Sequence, residues 1–316
     1  MRRFVTSSMI FVLFFSLCYP VYLFICDSIP VIHLPNLTYT LGGYGHLHSR
    51  LEEINEFKDV DILFLGSSHA YRGFDVRVFT EYGFKTFNLG SSSQTPIQTQ
   101  LLLKRYLNYL NPKLVIYAIA PDIFTSDGVE SAIDIISNSK PDYLSLQMIV
   151  KINNLKVYNT LILGGMRELL NTNDGFSQQI REGTPDYFDT YISGGYVEKN
   201  TNRFYNTKNN YEESEHKIEE TINNFKQYQL NAFSQIIKDF SNRNIKYILV
   251  VTPVVNNIIN NNFDYIIQQY GGYYDFNKIL DFSDNYFYDA NHLRQEGVEI
   301  FSTCAAELVI SLGILN

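Results

Sequence analysis

Three short segments of this chain carry side chains whose chemical types and spacing suit nucleophilic catalysis. Residues 66–73 read Gly-Ser-Ser-His-Ala-Tyr-Arg-Gly, and a serine that starts a helix exposes its hydroxyl among backbone N–H groups able to bind an oxyanion. A second turn of small residues begins at Gly90. Near the C-terminus, the three-residue offset between Asp289 and His292 can bring a carboxylate and an imidazole together. The carboxylate would hold the histidine tautomer while the other ring nitrogen takes a proton from Ser68.

Each segment also has an ordinary structural interpretation. A Gly-Ser-Ser turn is usually a strand-to-helix connection in which a serine caps the helix, and an Asp-x-x-His pair is more often a cap or a surface ion pair. We expect His69 to be a solvated helix residue, and Arg72 either to contact substrate or to pair structurally. The order of the segments favours the catalytic interpretation, because they follow the first, the second and the last predicted strand.

The elements that would position these residues alternate between short β-rich runs and helical patterns, which is typical of a parallel sheet covered by helices. The strands are predicted at 60–65, 85–89, 113–119 and 246–252. Their nearly continuous apolar character suits strands buried on both faces. Apolar residues at helical spacing predict helices over 95–110 and 218–240. We therefore predict a three-layer α/β/α sandwich of the flavodoxin-like kind, in which ligands bind beyond the carboxyl ends of the strands.

A long segment, 122–214, interrupts this alternation and is too long for a simple crossover. It contains weak helical patterns at 143–155 and 161–170, followed by a polar, asparagine-rich stretch at 200–215. Its tyrosines could stack on sugar rings, although aromatic side chains are more often part of a core. We predict that this insertion is a lid that faces the substrate.

The N-terminal segment from Phe4 to Cys26 contains no charged residue. At about 1.5 Å per residue, a helix of this length crosses a bilayer core of about 30 Å. Arg2 and Arg3 precede it, which by the positive-inside rule keeps the N-terminus in the cytoplasm and sends the rest outward. A cleaved signal peptide is the rival interpretation, but the apolar run is long for one and no small-x-small cleavage site follows it.

The preferred interpretation divides the chain into three parts. Residues 1–27 would form a cytoplasmic tip and a transmembrane anchor, residues 28–58 a stalk that leads into the body, and residues 59–316 the α/β domain with its insertion. The protein would then be a single-pass protein of the cell membrane, with its C-terminal domain outside the cytoplasm.

Charge and cysteine content exclude other classes of protein. The formal net charge of −8, from 25 basic and 33 acidic residues, argues against nucleic acid as a partner, because phosphates require a basic surface. The 3 cysteines are too few and too irregularly spaced for a disulfide framework or a zinc cluster. Acyl chemistry at a serine needs neither a metal nor an organic cofactor, so we expect none.

The first two segments resemble sequence blocks of the SGNH (GDSL-like) hydrolase superfamily. Residues 66–68 look like its first block, with Ser68 in the nucleophile position and Ser67 where an Asp commonly stands. Residues 88–90 read Asn-Leu-Gly and are similar to the second block, in which the backbone of the glycine, here Gly90, helps to form the oxyanion hole.

The third segment extends the resemblance to the end of the chain. Asp289 and His292, followed by Leu293, look like the last block of the superfamily, in which Asp and His complete the catalytic triad. The resemblance covers the chain from about residue 60 onward, apart from the insertion. Together with an N-terminal anchor, the pattern is similar to membrane-anchored branches, which include the alginate O-acetylation proteins and the D-alanyl transfer protein of teichoic acids.

The chain departs from the superfamily after the third predicted strand. The block Gly-x-Asn-Asp normally supplies an Asn to the oxyanion hole there, whereas residues 118–123 read Ala-Ile-Ala-Pro-Asp-Ile. Loss of one such donor can cost about 10²–10³ in rate. Gln94 and Asn88 are candidates for a substitute donor, and Asp122 is a candidate substrate contact or a helix cap.

The resemblance implies a membrane-anchored, extracytoplasmic serine esterase or O-acyltransferase that acts on an acylated glycan of the cell envelope, with O-acetyl as the expected acyl group. Ser68 would attack the acyl carbonyl, with His292 as base and Asp289 holding the imidazole, while the backbone N–H groups of Ser68 and Gly90 bind the oxyanion. A membrane protein that donates acyl groups is an expected partner.

Two alternatives remain at this point. The missing third-block Asn favours a catalytically inactive SGNH-fold subunit that binds or scaffolds an envelope polysaccharide-modification system. A phosphate-binding protein that uses the Gly-Ser-Ser helix start is less favoured, because the sequence places no lysine near that turn.

Overall fold

The fold is built on one parallel sheet. We analysed a computed structural model that describes residues 1–29, 34–43, 45–170, 172, 182, 189–201, 203–205, 224–255 and 261–315. The strands within these residues are β1 (Ile62–Leu65), β2 (Thr86–Asn88), β3 (Leu114–Ala118), β4 (Asp189–Ile192), β5 (Tyr196–Lys199), β6 (Lys246–Val251) and β7 (Tyr273–Asp275). Five of them pair in the order β2-β1-β3-β6-β7, and every pairing is parallel. β4 and β5 form a separate antiparallel hairpin.

Helices within the described residues connect and cover these strands. They are α1 (Arg2–Ser28), α2 (Leu47–Glu53), α3 (Ser68–Tyr71), α4 (Val76–Glu81), α5 (Pro96–Leu110), α6 (Asp122–Thr125), α7 (Val129–Asn138), α8 (Tyr143–Ile152), α9 (Leu155–Leu169), α10 (Gln227–Asn242), α11 (Asn261–Gln268), α12 (Phe276–Ile279) and α13 (Gln295–Ser311). The start of α5 has a clear local cause. Thr95 and Gln98 form a capping box, and Pro96, which lacks an N–H to leave unpaired, occupies the first turn.

The predicted α/β sandwich with a parallel sheet is confirmed. The predicted strands correspond to β1, β2, β3 and β6 with ends that agree to within 2 residues. The weak helical patterns of the insertion correspond to α8 and α9. The helix predicted over 218–240 begins only at Gln227, as α10, so its predicted start is wrong at Phe225, which precedes the cap residue Lys226; positions 218 and 222 lie outside the described residues. β7 was not predicted, because three residues are too few to show an apolar run.

Alternate residues of each strand point to opposite faces of the sheet, and each face has its own helical cover. From β1, Leu63 and Leu65 join an apolar cluster with residues of α5, α7 and α10. Ile62 and Phe64 join a second cluster, with residues of α4 and α13. Because all of these side chains are buried, both faces need apolar residues, which explains the continuous apolar runs in the sequence.

The N-terminal helix α1 is long and apolar enough to cross a membrane. Its side chains are exposed as far as Cys18, and burial begins at Tyr19. From that point α1 packs against α9: the Tyr19 hydroxyl donates to Asn159 Oδ1 at 2.9 Å, and Arg167 forms an ion pair with Asp27. The last turns of α1 are therefore joined to the body by specific polar contacts.

The predicted stalk, 28–58, contributes to the body in its second half. Helix α2 places Leu47 in the core cluster and buries Arg50 completely. The Arg50 guanidinium donates to the carbonyl oxygen of Gly195 at 2.9 and 3.1 Å, so the charge is compensated by hydrogen bonds. Residues 47–53 are consequently part of the α/β domain rather than a free stalk.

The β4–β5 hairpin, which belongs to the insertion, docks on β2. The Asn88 N–H donates to the carbonyl oxygen of Gly194 at 2.8 Å. At the next position, Gly195 has a φ of +92°, and a Cβ there would lie 2.4 Å from the carbonyl oxygen of Asn88. Glycine therefore meets two requirements at this turn, the left-handed backbone and the close approach to β2.

Two glycine substitutions test this docking. Gly83 has a φ of +84°, but a Cβ on it would have no neighbour within 4 Å, so Gly83→Ala should cost only the left-handed backbone, about 1–2 kcal/mol in the free energy of unfolding. Gly195→Ala should cost about 1–3 kcal/mol more, because the methyl group also displaces the hairpin from Asn88. Urea unfolding of both variants in detergent measures the difference, and equal losses would contradict the docking.

Candidate active site

Ser68 is presented by the tight turn that connects β1 to α3. Gly66, directly after β1, has a φ of +138°, and a Cβ on it would lie 2.7 Å from the carbonyl oxygen of Ala118 at the end of β3. Only glycine, which has no Cβ, allows the backbone after β1 to turn this close to the end of β3. Ser67 takes the cap position and is buried, whereas Ser68 begins the helix and stays partly exposed. Ser68 thus lies at the carboxyl edge of the sheet, where the strand order reverses between β1 and β3.

Asp289 and His292 lie in the loop before α13, and their side chains reach Ser68. The Tyr288 N–H donates to the carbonyl oxygen of His292 at 3.1 Å, which closes the loop. His292 Nδ1 lies 2.9 and 3.0 Å from the two carboxylate oxygens of Asp289. Its Nε2 lies 2.7 Å from Ser68 Oγ. The three residues that the sequence singled out are therefore connected in a row by hydrogen bonds.

The chemistry of the partners determines the direction of these hydrogen bonds. An ionised carboxylate can only accept, so His292 Nδ1–H donates to Asp289 and Nε2 accepts from the Ser68 hydroxyl. Burial opposes the ionisation of Asp289, but the hydrogen bond and charge of His292 and the N–H of Asn291 outweigh it and lower the pKa of this carboxyl. The ionised form is the one that can hold the imidazole in this tautomer.

Two aromatic rings stack on His292, and the sequence predicted neither contact. The ring centroid of His69 lies 5.4 Å from that of His292 with 24° between the planes, and that of Tyr288 lies 5.6 Å away with 7° between the planes. His69 Nδ1 lies 2.9 Å from Thr252 Oγ1, just past β6. His69 is therefore a partly buried neighbour of the site, and the prediction of a solvated helix residue is wrong.

The environment of His69 disfavours its charged form. Burial and the positive charge of His292 lower the pKa of His69 to about 4, against the opposing effect of Asp122 and Asp289. His69 is consequently neutral at neutral pH and adds no positive charge beside His292. Its adjacency to Ser68 in the sequence, like that of Tyr288 to Asp289, is the signal that could have indicated these contacts.

The second turn is held by its own hydrogen bonds. Asn88 is fully buried, its Nδ2 donating to the carbonyl oxygen of Ala70 at 2.8 Å and its Oδ1 accepting from the Gly90 N–H at 3.1 Å. Gln94 is also fully buried, accepting from Ser91 Oγ at 2.8 Å and donating to Thr99 Oγ1 at 2.9 Å. These contacts do not support the prediction that either amide supplies an oxyanion donor, because both amides already stabilise the turn.

Arg72 lies one helical turn after Ser68 and pairs with the hairpin. Its Nη2 lies 2.6 Å from Asp189 Oδ2, and its guanidinium stacks over the Tyr71 ring at 5.3 Å. Burial opposes the charge, but Tyr71, Tyr288 and Asp189 outweigh it and raise the pKa of Arg72. Arg72 Nη1 is buried and has no hydrogen-bond partner among the described residues. The guanidinium thus has a structural partner and an unused donor.

Asp122, the other predicted substrate contact, is exposed at the first position of α6. Its carboxylate is close enough to His69 to act on the pKa of that ring. Its main-chain carbonyl accepts from the Ser126 N–H at 3.0 Å. The structure therefore places Asp122 at the same edge of the sheet as His69, and its contact with substrate stays a prediction.

Comparison with known proteins gives a structural likeness but no family. No family model matches the chain, and no curated protein matches it. Among solved structures, the chain is similar to a Bacteroides fragilis protein described as a "putative acylhydrolase", with 13% identity and a TM-score of 0.40 over 87% of this chain and 99% of that one. A likeness of this size is too weak to support a shared activity, so the functional inference depends on the geometry around Ser68.

The low pKa of His69 makes stability depend on pH. The unfolded imidazole titrates near 6.5 and the folded one near 4, so between these values the unfolded state binds more protons and stability falls as the pH falls. His69→Asn should remove this dependence, which amounts to at most about 3 kcal/mol at about 1.4 kcal/mol per pKa unit. Urea unfolding of both proteins between pH 7 and pH 4 measures it. An equal change of unfolding free energy with pH in the two proteins would contradict the buried, neutral state of His69.

Proposed function

We propose that the protein is a membrane-anchored SGNH-type serine esterase or O-acyltransferase that acts on acylated glycans outside the cytoplasm. The observation that carries the proposal is the row of hydrogen bonds from Ser68 Oγ through His292 to Asp289, at 2.7 and 2.9 Å. A hydroxyl, a base and an orienting carboxylate in this order are the parts that acyl transfer through a serine requires. The partial exposure of Ser68 leaves its hydroxyl accessible.

The reaction would proceed in two steps. Ser68 Oγ attacks the acyl carbonyl while His292 Nε2 takes its proton, and the imidazolium is stabilised by Asp289. His292 then returns the proton to the departing sugar oxygen, which leaves an acyl-serine. In the second step, water or a sugar hydroxyl loses its proton to His292 and attacks the acyl-serine, and His292 returns that proton to Ser68 Oγ as the acyl group leaves. Water gives hydrolysis, and a sugar hydroxyl gives transfer. Neither step needs a metal or an organic cofactor.

The oxyanion would be bound by backbone N–H groups of the two turns, those of Ser68 and Gly90. Ser68 opens α3, where the first N–H groups have no partner inside the helix. The Gly90 N–H is hydrogen-bonded to Asn88 Oδ1 at 3.1 Å and can be shared with an oxyanion, whose charge makes it the stronger acceptor.

Substrate binding would use the unused donor of Arg72. A buried guanidinium nitrogen without a partner is costly, and a carbonyl or hydroxyl oxygen of an acylated sugar could satisfy Nη1 while Asp189 holds Nη2. Asp122 would accept from sugar hydroxyls at the same edge. A membrane protein that delivers acyl groups would be the donor in the transferase case.

A second candidate function is an inactive subunit that binds the glycan and assembles other proteins. The observation that favours it is the hydrogen bond that already uses the Gly90 N–H, because a site with one oxyanion donor stabilises the transition state poorly. The same hydrogen-bonded row of Ser68, His292 and Asp289 counts against it, since glycan binding alone does not require a polarised serine.

Turnover of an acetyl ester by the purified full-length protein separates the two candidates. Ser68→Ala should lower the rate at least about 10³-fold, because the nucleophile and base act as one unit. Asp289→Asn should lower it about 10²–10⁴-fold, because the imidazole loses its orienting acceptor. The assay follows release of acetate or appearance of acetylated glycan.

Ser241→Ala is the matched control for this experiment. Ser241 is a serine of α10 whose hydroxyl donates to the Ile237 carbonyl in its own helix at 3.1 Å, so the variant should keep the parental rate. Equal rates for the parent and Ser68→Ala would contradict the esterase proposal. An inactive parent that still retains acetylated glycan would support the binding subunit instead.

The membrane orientation is tested separately. With Arg2 and Arg3 retained in the cytoplasm, an alkaline phosphatase fused after Asn316 should be active, since that enzyme folds only outside the cytoplasm. Arg2→Glu together with Arg3→Glu should reduce that activity, because the positive charges set the orientation. High activity of a cytoplasmic reporter at the same position would contradict the proposed topology.

A further inference from the structure

Helix α1 divides into a free part and a packed part. From Arg2 to Cys18 every side chain is exposed, and from Tyr19 onward the helix packs on α9. At about 1.5 Å per residue, the free and uncharged stretch from Phe4 to Cys18 covers only about 22 Å. The hydrocarbon core of a bilayer is about 30 Å thick. The free part alone is therefore too short to span it.

The missing length must come from the part of α1 that has one face packed against the body, with Val21 and Tyr22 on its exposed side. About five further residues of α1, from Tyr19 to Leu23, are needed to reach about 30 Å. Tyr19 contacts α9, and Leu23 is 1% exposed. If these residues lie at the depth of the hydrocarbon, the part of the body that covers them lies at that depth as well.

Helix α9 runs beside α1 in the same direction and in step with it. The two polar contacts, Tyr19 to Asn159 and Asp27 to Arg167, both join residues 140 positions apart. Two parallel helices with the same rise per residue keep a constant offset along their axes. Leu155, at the start of α9, therefore lies at the level of Phe15. The beginning of α9 is thus beside the exposed apolar part of α1.

The start of α9 and the helix before it carry exposed apolar side chains. We use the name α8–α9 corner for Tyr143, Leu146, Val150 and Leu155, which are 70%, 47%, 59% and 55% exposed. The three residues of α8 follow one another at intervals of three and four, so they share one face of that helix. Such a cluster on a protein with an otherwise acidic surface indicates a contact with an apolar phase.

The charges around the corner also suit a bilayer. The stretch from 143 to 160 has no acidic residue and carries Lys151 and Lys156, and Asp142, directly before it, is paired with Arg105. Lysines that flank an apolar helix face can extend their ammonium groups to lipid phosphates while the neighbouring side chains enter the boundary layer. Asp and Glu would be repelled by anionic lipids at the same position.

We propose that the α8–α9 corner inserts into the outer half of the same bilayer that α1 crosses. This inference rests on the proposed membrane span of α1, and it adds a second, lateral contact. With Leu155 level with Phe15, eight residues before Leu23, the α9 end of the corner would lie about 12 Å below the outer end of the span. Helix α1 and the α8–α9 corner together would then fix the orientation of the α/β domain, and the position of Ser68, relative to the membrane.

The absence of tryptophan from the chain permits a direct test. The sequence contains 0 Trp and 24 Tyr, so a single introduced Trp, excited beyond the tyrosine band, reports on its own position alone. Four single variants of the full-length protein are placed in vesicles with or without brominated acyl chains: Leu146→Trp and Val150→Trp at the corner, Phe11→Trp in α1, and Ile300→Trp on α13. Ile300 is 42% exposed, comparable to Leu146 at 47%.

Phe11→Trp should be quenched by deep bromine positions. Leu146→Trp and Val150→Trp should be quenched at least about twofold more than Ile300→Trp, because their side chains would contact the brominated acyl chains. Quenching of Phe11→Trp together with corner variants that match Ile300→Trp would overturn the corner contact and leave the anchor intact. An unquenched Phe11→Trp would overturn the anchor and the corner contact together.

Discussion

The close backbone approach of the turns after β1 and β2 is the constraint on which the site depends. A Cβ on Gly66 would lie 2.7 Å from the carbonyl oxygen of Ala118, and one on Gly90 would lie 3.0 Å from the carbonyl oxygen of Gly66. The parallel register, with Phe64 opposite Asn88, brings the two turns to the same edge. Because backbone packs on backbone there, the distance from the Ser68 amide to the Gly90 amide is set by the sheet and not by flexible side chains. Such rigidity is what a preorganised oxyanion site needs.

The charges around Ser68 are balanced by partners from distant parts of the chain. Asp289 is ionised and faces His292, while burial keeps His69 neutral. Arg72, one turn from Ser68, is held by Asp189 of the hairpin. A second positive imidazole beside His292 would disfavour the imidazolium that forms when Ser68 loses its proton, so the low pKa of His69 is compatible with a base at His292.

The insertion connects this site to the N-terminal helix. Its hairpin contacts β2 through Gly194 and pairs with Arg72 through Asp189, whereas its helix α9 pairs with Asp27 of α1. The insertion therefore contacts both the edge of the sheet near Ser68 and the C-terminal end of α1. In a glycan-modifying enzyme this connection would hold the reactive serine at a set position relative to the membrane.

Much of this arrangement could be predicted from the order of residues. The strands that become β1, β3 and β6 are continuous apolar runs because both faces are buried, and the turns at Gly66 and Gly90 follow from the need for small residues at strand ends. Asp289 and His292 are three residues apart, so their pairing is local. Ser68 was assigned to the same site because the motifs occur in the order expected along the chain. The β7 strand and the docked α2 could not be predicted, since a three-residue strand and a seven-residue helix carry too little pattern.

The sequence by itself determined the α/β class and the apolar N-terminal helix, because each depends on local pattern, and the order of its motifs indicated the three side chains that meet at the sheet edge. The tertiary structure alone decided that His69 and Tyr288 stack on His292 and that Asn88 and Gln94 are used within the turn. It also decided that α9 runs in step with α1. These contacts join segments with no common periodicity, so they arise only when packing of the core brings the segments together.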